Sequence, residues 1–292
     1  MKGKILIMLA ASLLLTGCSQ SNKSTSSESA AGSSKVSQKS SSSKKASSKS
    51  SSVKKSASSS SSSSTSASSS SASSKASGWN QTTSNAARLS TFNSEIKKKL
   101  GSVLLPSVTG LASDSGYLNV RYSGNSSSYK VYYSVGYTAK SLNDPSLSGQ
   151  TPYLVLTKRT YASASAAQAA VENVQSKSNL QGLPTTNLGS GITAWTDAGA
   201  GQRYVTFNEG NWQFTVHGAA VNGEDAEATA KNLVSLLNSY YLPAPDKGKG
   251  TFEVSVADGE TPQTLTWAKG SSLYKLQAHS TDTLIKTAAS LK

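Results

Sequence analysis

Apolar residues Ala86, Leu89, Phe92, Ile96 and Leu100 recur at intervals of three and four, the spacing that stacks side chains along one stripe of a helix. The pattern predicts an amphipathic helix over about Thr83 to Leu100, with Trp79 just before it as a staple onto the core. The period then changes to two. "YLNVRY" (Tyr117 to Tyr122), "YKVYYSVGY" (Tyr129 to Tyr137) and "PYLVLTKRTY" (Pro152 to Tyr161) alternate Tyr, Val and Leu with polar residues between Gly, Asn and Ser boundaries, and read as strands. Helical spacing returns at Ala167, Ala170, Val171 and Val174, behind a cap at Ser163 or Ser165. Strands follow at about Ile192 to Thr196, Arg203 to Asn208 and Trp212 to His217. A helix then begins near Asn222, with Glu224, Asp225 and Glu227 where the helix dipole favours anions, and Ala230, Leu233, Val234, Leu237 and Tyr241 as its inward stripe.

The chain then repeats itself. Shifting by 60 positions lays "GITAWTDAGAGQRYVTFNEGNWQFTV" over "TFEVSVADGETPQTLTWAKGSSLYKL" without a gap, so that Thr206 meets Thr266, Phe207 meets Trp267, Gly210 meets Gly270 and Phe214 meets Tyr274. After a connection five residues shorter, "KNLVSL" (Lys231 to Leu236) lies over "KTAASL" (Lys286 to Leu291). Three strands and a helix thus occur twice. The expected fold class is α+β, with antiparallel sheets, covering helices and tandem βββα units behind an N-terminal helix. Residues 78–186 form a first lobe and 187–292 the two units, or 78–292 is one continuous domain. Asp246-Lys247-Gly248-Lys249-Gly250, after Pro243 and Pro245, reads as the linker between units.

The first 77 residues have a different character. Met1 to Lys4 carries two lysines and Ile5 to Leu15 is almost wholly apolar, the charged and apolar regions of a secretory signal. The apolar run is too short for hydrocarbon, which takes roughly 20 residues to cross. Leu15-Thr16-Gly17-Cys18 ends it with the only cysteine of the chain. These four residues resemble the lipobox of bacterial lipoproteins. The resemblance implies cleavage between Gly17 and Cys18 and a diacylglyceryl group on the Cys18 sulfur, and two acyl chains hold a protein on a bilayer at about 0.8 kcal/mol per buried methylene. With Cys18 so used, no cysteine remains for a disulfide, a metal or a nucleophile.

From Ser19 to Ser77 the chain is nearly all Ser, Ala and Lys, too poor in apolar groups to offset its ordering entropy. It is expected to be a disordered tether. Its 59 residues give an end-to-end distance of roughly 40 Å. Of the 29 basic and 15 acidic residues, the signal holds two lysines and the tether nine lysines and one acid, leaving 18 basic and 14 acidic residues from Gly78 on. The high charge therefore belongs to the tether, and the folded part is no nucleic-acid binder. Spaced lysines suit anionic lipid or an anionic wall polymer, and equally suit a spacer that must only stay soluble.

"LTWAKGSSLY" (Leu265 to Tyr274), followed by a short helix ending "AASL" (Ala288 to Leu291), resembles the extracytoplasmic domains of uncharacterised Gram-positive lipoproteins and of some anti-sigma factors. That resemblance implies fold and location and transfers no functional residue. Neither GxSxG, HExxH nor a P-loop is present, and no cofactor, metal or catalytic constellation is expected. Glu209, Glu253, Asp258 and Glu260 read as solvated turn charges. The ligand-binding candidates are Trp195, which shares its strand face with Thr193 and Asp197, Tyr240 beside Tyr241, and the two histidines, His217 and His279, each at the end of a third strand. Their clustering in one cleft would mark a ligand site, and a flat apolar patch a protein partner. The expectation is a non-enzymatic envelope binding module, lipid-anchored on the extracytoplasmic face of the cell membrane. A wall-active hydrolase or accessory subunit and a sensory domain recognising another protein are the alternatives.

Overall fold

The computed structural model describes residues 83–257, 259 and 262–292. The Gly17-Cys18 signal site, the tether, Trp79, Asp258 and Glu260 lie outside the described residues. The element order is α1 (Asn85–Leu100), β1 (Tyr117–Gly124), β2 (Ser128–Gly136), β3 (Leu154–Thr160), α2 (Ala164–Ala169), α3 (Lys177–Leu180) and β4 (Thr185–Gly189). It continues with β5 (Ile192–Gly199), β6 (Gln202–Glu209), β7 (Trp212–Ala219), α4 (Ala226–Leu237), β8 (Gly250–Ser255), β9 (Gln263–Lys269), β10 (Ser272–Ala278) and α5 (Thr281–Ala289). The fold is mixed α+β. All ten strands join one sheet in the order β1-β2-β3-β10-β9-β8-β7-β6-β5-β4. Every neighbouring pair is antiparallel except β7 with β8, which α4 connects as a crossover. Among the described residues no helix is long and apolar enough to cross a membrane.

One row of paired residues explains how the sheet holds together. Thr186, Ala194, Phe207, Phe214, Phe252, Leu265, Leu276, Leu156, Val131 and Tyr122 stand opposite one another across all ten strands. Period-two alternation puts their apolar neighbours on the same face, and α1, α4 and α5 bury that face as one continuous core. The aromatic pairs stack within it: Phe207 on Phe214 with ring centroids 4.7 Å apart, and Trp267 on Tyr274 at 5.2 Å.

The helices follow their caps. Ser84 accepts from Ala87 N and Lys97, Lys98 and Lys99 occupy the last turn of α1, where cations meet the carbonyl end of the dipole. Its buried stripe is Asn85, Leu89, Phe92 and Ile96, whereas Ala86, expected inside, is exposed. Asn85 takes the inner place because its amide donates to Gly116 O (3.1 Å) and accepts from Leu118 N (2.7 Å), tying the helix to β1. In α4 the cap is Asp225, while Glu224 stays outside and accepts from Ala219 N. Tyr241, expected on the inward stripe, is 87 % exposed because the helix ends at Leu237. The helix expected to reach Val174 stops at Ala169, and Asn173 turns the chain away with a φ of 61°.

The face opposite the helices is crossed by a strap. Residues 161–184, including α2 and α3, run from β3, third in the sheet order, to β4, tenth in it. Seven strand spacings amount to roughly 34 Å. Ala167 and Val171 of the strap pack with Ala268, Leu273 and Tyr161 as a second small apolar cluster. The Asp246 to Gly250 run is no free linker. Asp246 accepts from Gly270 N at 2.6 Å, Lys249 Nζ donates to Gly210 O at 2.8 Å, and Gly250 opens β8.

Candidate functional site

Trp195 reaches the strap face because β5 alternates: Ala194 is buried on the helix side, and Trp195 and Asp197 face the other way. Pairing then sets its neighbours. Trp195 stands opposite Thr206, which stands opposite Thr215; Asp197 stands opposite Tyr204, which stands opposite His217. Tyr204 and His217 stack with centroids 4.7 Å apart, and His217 Nε2 meets Gln202 Oε1 at 2.5 Å. Trp195 and His217 therefore belong to one surface, joined through Tyr204.

The strap converts this surface into a cleft. A cavity of about 240 Å³ lies between Trp195, Asp197, Tyr204, Thr206 and Thr215 below and Gln175, Asn179, Leu180 and Leu183 above. A second, of about 540 Å³, is lined by Gln175, Lys177, Leu180, Gln181, Trp195, Asn208, Gln213 and Lys249. Gln175, Leu180 and Trp195 wall both, so the two cavities are halves of one cleft bridged by α3. The bridge is held by side chains acting as backbone. Gln213 Oε1 accepts from Gln175 N at 2.5 Å while its Nε2 donates to Gln175 O at 3.1 Å. Asn173 donates its amide to the Glu253 carboxylate, and Gln168 donates to Lys249 O. Glu253 is thus a strap anchor rather than a solvated turn charge.

Two candidates fall elsewhere. His279 follows the last residue of β10, and β8 and β9 separate that strand from the β7 of His217. Three strand spacings put the histidines roughly 14 Å apart, too far to share an ion. Among the described residues no group of three or more His, Cys, Asp or Glu is placed to hold a metal. The buried His279 Nδ1 has no hydrogen-bond partner among the described residues. Tyr240 lies on the helix face. There it lines a cavity of about 240 Å³ with Glu209 and Trp212, and another of about 420 Å³ with Val108, Gly110 and Lys286.

Chemically, the strap-side cleft offers carboxamides (Gln175, Asn179, Gln181, Asn208, Gln213), hydroxyls (Thr206, Thr215, Tyr204), two ammonium groups and an indole face. Asp197 is the one carboxylate lining either half among the described residues. The set suits a ligand dense in hydroxyls with an apolar ring face. Of these residues, sequence reading had singled out Trp195 with its strand partner Asp197. Tyr204 was signalled by its alternation in "RYVTFNE", whereas the glutamines of the strap carry no periodic signal. Neither family models, nor curated proteins, nor solved structures give a match to this chain.

Proposed function

We propose that the chain is a non-enzymatic binding module of the cell envelope, anchored through a lipid on Cys18 and displayed on its Ser19 to Ser77 tether, with the cleft at Trp195 as its contact for a polyhydroxylated ligand of the wall-glycan class. The observation that carries this reading is the half-buried indole walling both halves of a cleft rich in carboxamides and hydroxyls. A sugar ring stacks its apolar face on such an indole while amides take its hydroxyls.

The reading extends to the fold. We infer that β5-β6-β7-α4 and β8-β9-β10-α5 descend from one βββα unit, supported by the gapless 60-residue offset of their strands. By strand register Thr251, Thr264 and Gln277 of the second unit take the places that Trp195, Tyr204 and His217 have in the first. The unit folds without that aromatic set, which favours a binding role for it over a structural one.

Cosedimentation of the whole chain with purified cell wall across a salt series tests the proposal. Binding that persists at about 0.5 M salt, where surface charges are screened, and that weakens about tenfold in Trp195→Ala is the expected result. Binding that vanishes with salt would assign the contact to the tether lysines, and salt-resistant binding that ignores the substitution would remove the cleft from it. Lipid labelling tests the anchor separately: Cys18→Ser should abolish it, and retained label would refute the lipobox assignment.

A further inference from the structure

On the helix face, the β6–β7 hairpin places a carboxylate where the sequence led one to expect a solvated charge. Glu209 closes the hairpin opposite Trp212, on the core side of the sheet, and its Oε2 is buried without a hydrogen-bond partner among the described residues. It lines the cavity of about 240 Å³ whose other walls include Asn211, Trp212, Leu237, Tyr240, Tyr241 and Pro245. Trp212 is only 6 % exposed and donates its Nε1 to Pro243 O at 3.2 Å, which fixes the segment carrying the two tyrosines and prolines against the sheet. Tyr241 stands at the rim, open to solvent.

In a half-buried carboxylate, an oxygen held among aromatic rings without a hydrogen bond is costly unless something positive meets it. No cation among the described residues does so: the nearby Lys249 ammonium is turned to Gly210 O. Nor does the hairpin require a buried acid. Sixty positions on, the same hairpin end carries Lys269, which is exposed. The acid and its aromatic surroundings are peculiar to the first unit.

We propose that this cavity binds a small organic ammonium group, with Glu209 as counter-charge and the rings of Trp212, Tyr240 and Tyr241 enclosing its apolar body. Carboxylate and ring faces both attract a cation, and each does so more strongly away from water. A free amine and a lysine side chain share this chemistry. The nine lysines of the tether are one source of the latter.

Isothermal titration of the whole chain with n-butylammonium, tetramethylammonium and neutral 1-butanol tests the site. The ammonium probes should bind saturably at one site, about tenfold more weakly in Glu209→Gln, with Tyr241→Ala as a second variant on an exposed side chain that leaves the fold intact. Butanol should bind more weakly and be indifferent to Glu209→Gln. Trp195→Ala should change nothing here, which separates this site from the strap-side cleft. Replacing the tether lysines by glutamine distinguishes the sources: tighter butylammonium binding identifies the tether as competing occupant, and unchanged binding identifies a free amine as the ligand. Equal affinity for butanol and butylammonium, an unchanged constant in Glu209→Gln, or no saturable binding up to about 50 mM would overturn the proposal.

Discussion

Gly250→Ala tests whether the aromatic packing at the end of the core is as tight as the geometry implies. Gly250 lies in one cross-strand row between Trp212 of β7 and Trp267 of β9, and the Trp212 indole lies over it. A Cβ added to Gly250 would stand 2.5, 2.7 and 2.9 Å from three ring carbons of Trp212. Its φ is not in the left-handed region, so alanine suits the backbone and the clash acts alone. Trp212 has little room to retreat, being buried against Trp267 with centroids 6.2 Å apart and bonded to Pro243 O. Overpacking costs about 1–3 kcal/mol, and a lost indole bond adds about 1 kcal/mol. Exchanging a strand glycine for alanine returns about 0.5–1 kcal/mol. The net loss should be about 1–3.5 kcal/mol, or roughly 2–14 °C in Tm for a domain of this size. Urea unfolding followed by tryptophan emission measures it. Trp212→Leu frees the space, so the two substitutions together should cost at least about 1 kcal/mol less than the sum of each alone. A Gly250→Ala protein within about 0.5 kcal/mol of the parent, or strict additivity in the pair, would refute the packing argument.

Two further outcomes follow from other contacts. Gln213→Leu removes both side-chain bonds that hold Gln175 of the strap, so amide exchange at Gln175 should quicken about ten- to a hundredfold while global stability falls by about 1–2 kcal/mol; unchanged protection at Gln175 would show that the strap is held otherwise. Burial raises the Glu209 carboxyl above its ordinary value, so the folded state binds its proton more tightly than the unfolded chain and stability is lost as pH rises through that folded value. Glu209→Gln should therefore be more stable than the parent above that pH and equal to it below the ordinary carboxylate range, in thermal melts taken from about pH 3 to 8; a constant difference at every pH would mean that ionisation is not its cause.

The parts of the fold legible in the sequence are those governed by local rules. Most of the α1 stripe, the α2 cap at Ser163, the three strands before α4 and the alternation that turns Trp195 away from Ala194 all follow from period and capping chemistry. Strand order was not legible, because the β3–β10 pairing joins residues more than a hundred positions apart and no local pattern encodes it. β4 escaped notice for another reason. "TTNLG" buries only Leu188 and pairs on one side, so an edge strand of this kind carries almost no apolar signal. The strap was hidden because glutamine and asparagine side chains fasten it, and their hydrogen bonds leave no periodicity. For the same reason Glu209 read as a solvated charge: alternation assigns it to the core side, but only the Tyr240 to Pro245 segment, folded back by Trp212, buries its Oε2.

The two halves of the 60-residue offset permit a comparison within the molecule itself. On the helix face the paired positions keep their character: Val205 and Leu265, Phe207 and Trp267, and Phe214 and Tyr274 are all apolar or aromatic and packed in or against the core. Burial of that face by α4 and α5 constrains both copies alike. The strap face is covered differently in the two segments, the second lying beneath Ala167 and Val171 at Ala268 and Leu273, and there they part company, Trp195 against Thr251, Tyr204 against Thr264 and His217 against Gln277, as do the hairpin ends, Glu209 against Lys269. The second segment buries Thr251, Thr264 and Thr266 there, whereas Trp195 and Tyr204 of the first border open space. Trp195 and Tyr204 fall in the cleft beneath the strap and Glu209 in the pocket beneath Tyr240, both of which enclose space large enough for a ligand group, while His217 stacks on Tyr204 without lining either. Residues that depart from their counterparts and also line a cavity are thereby separated from those that only fold the sheet.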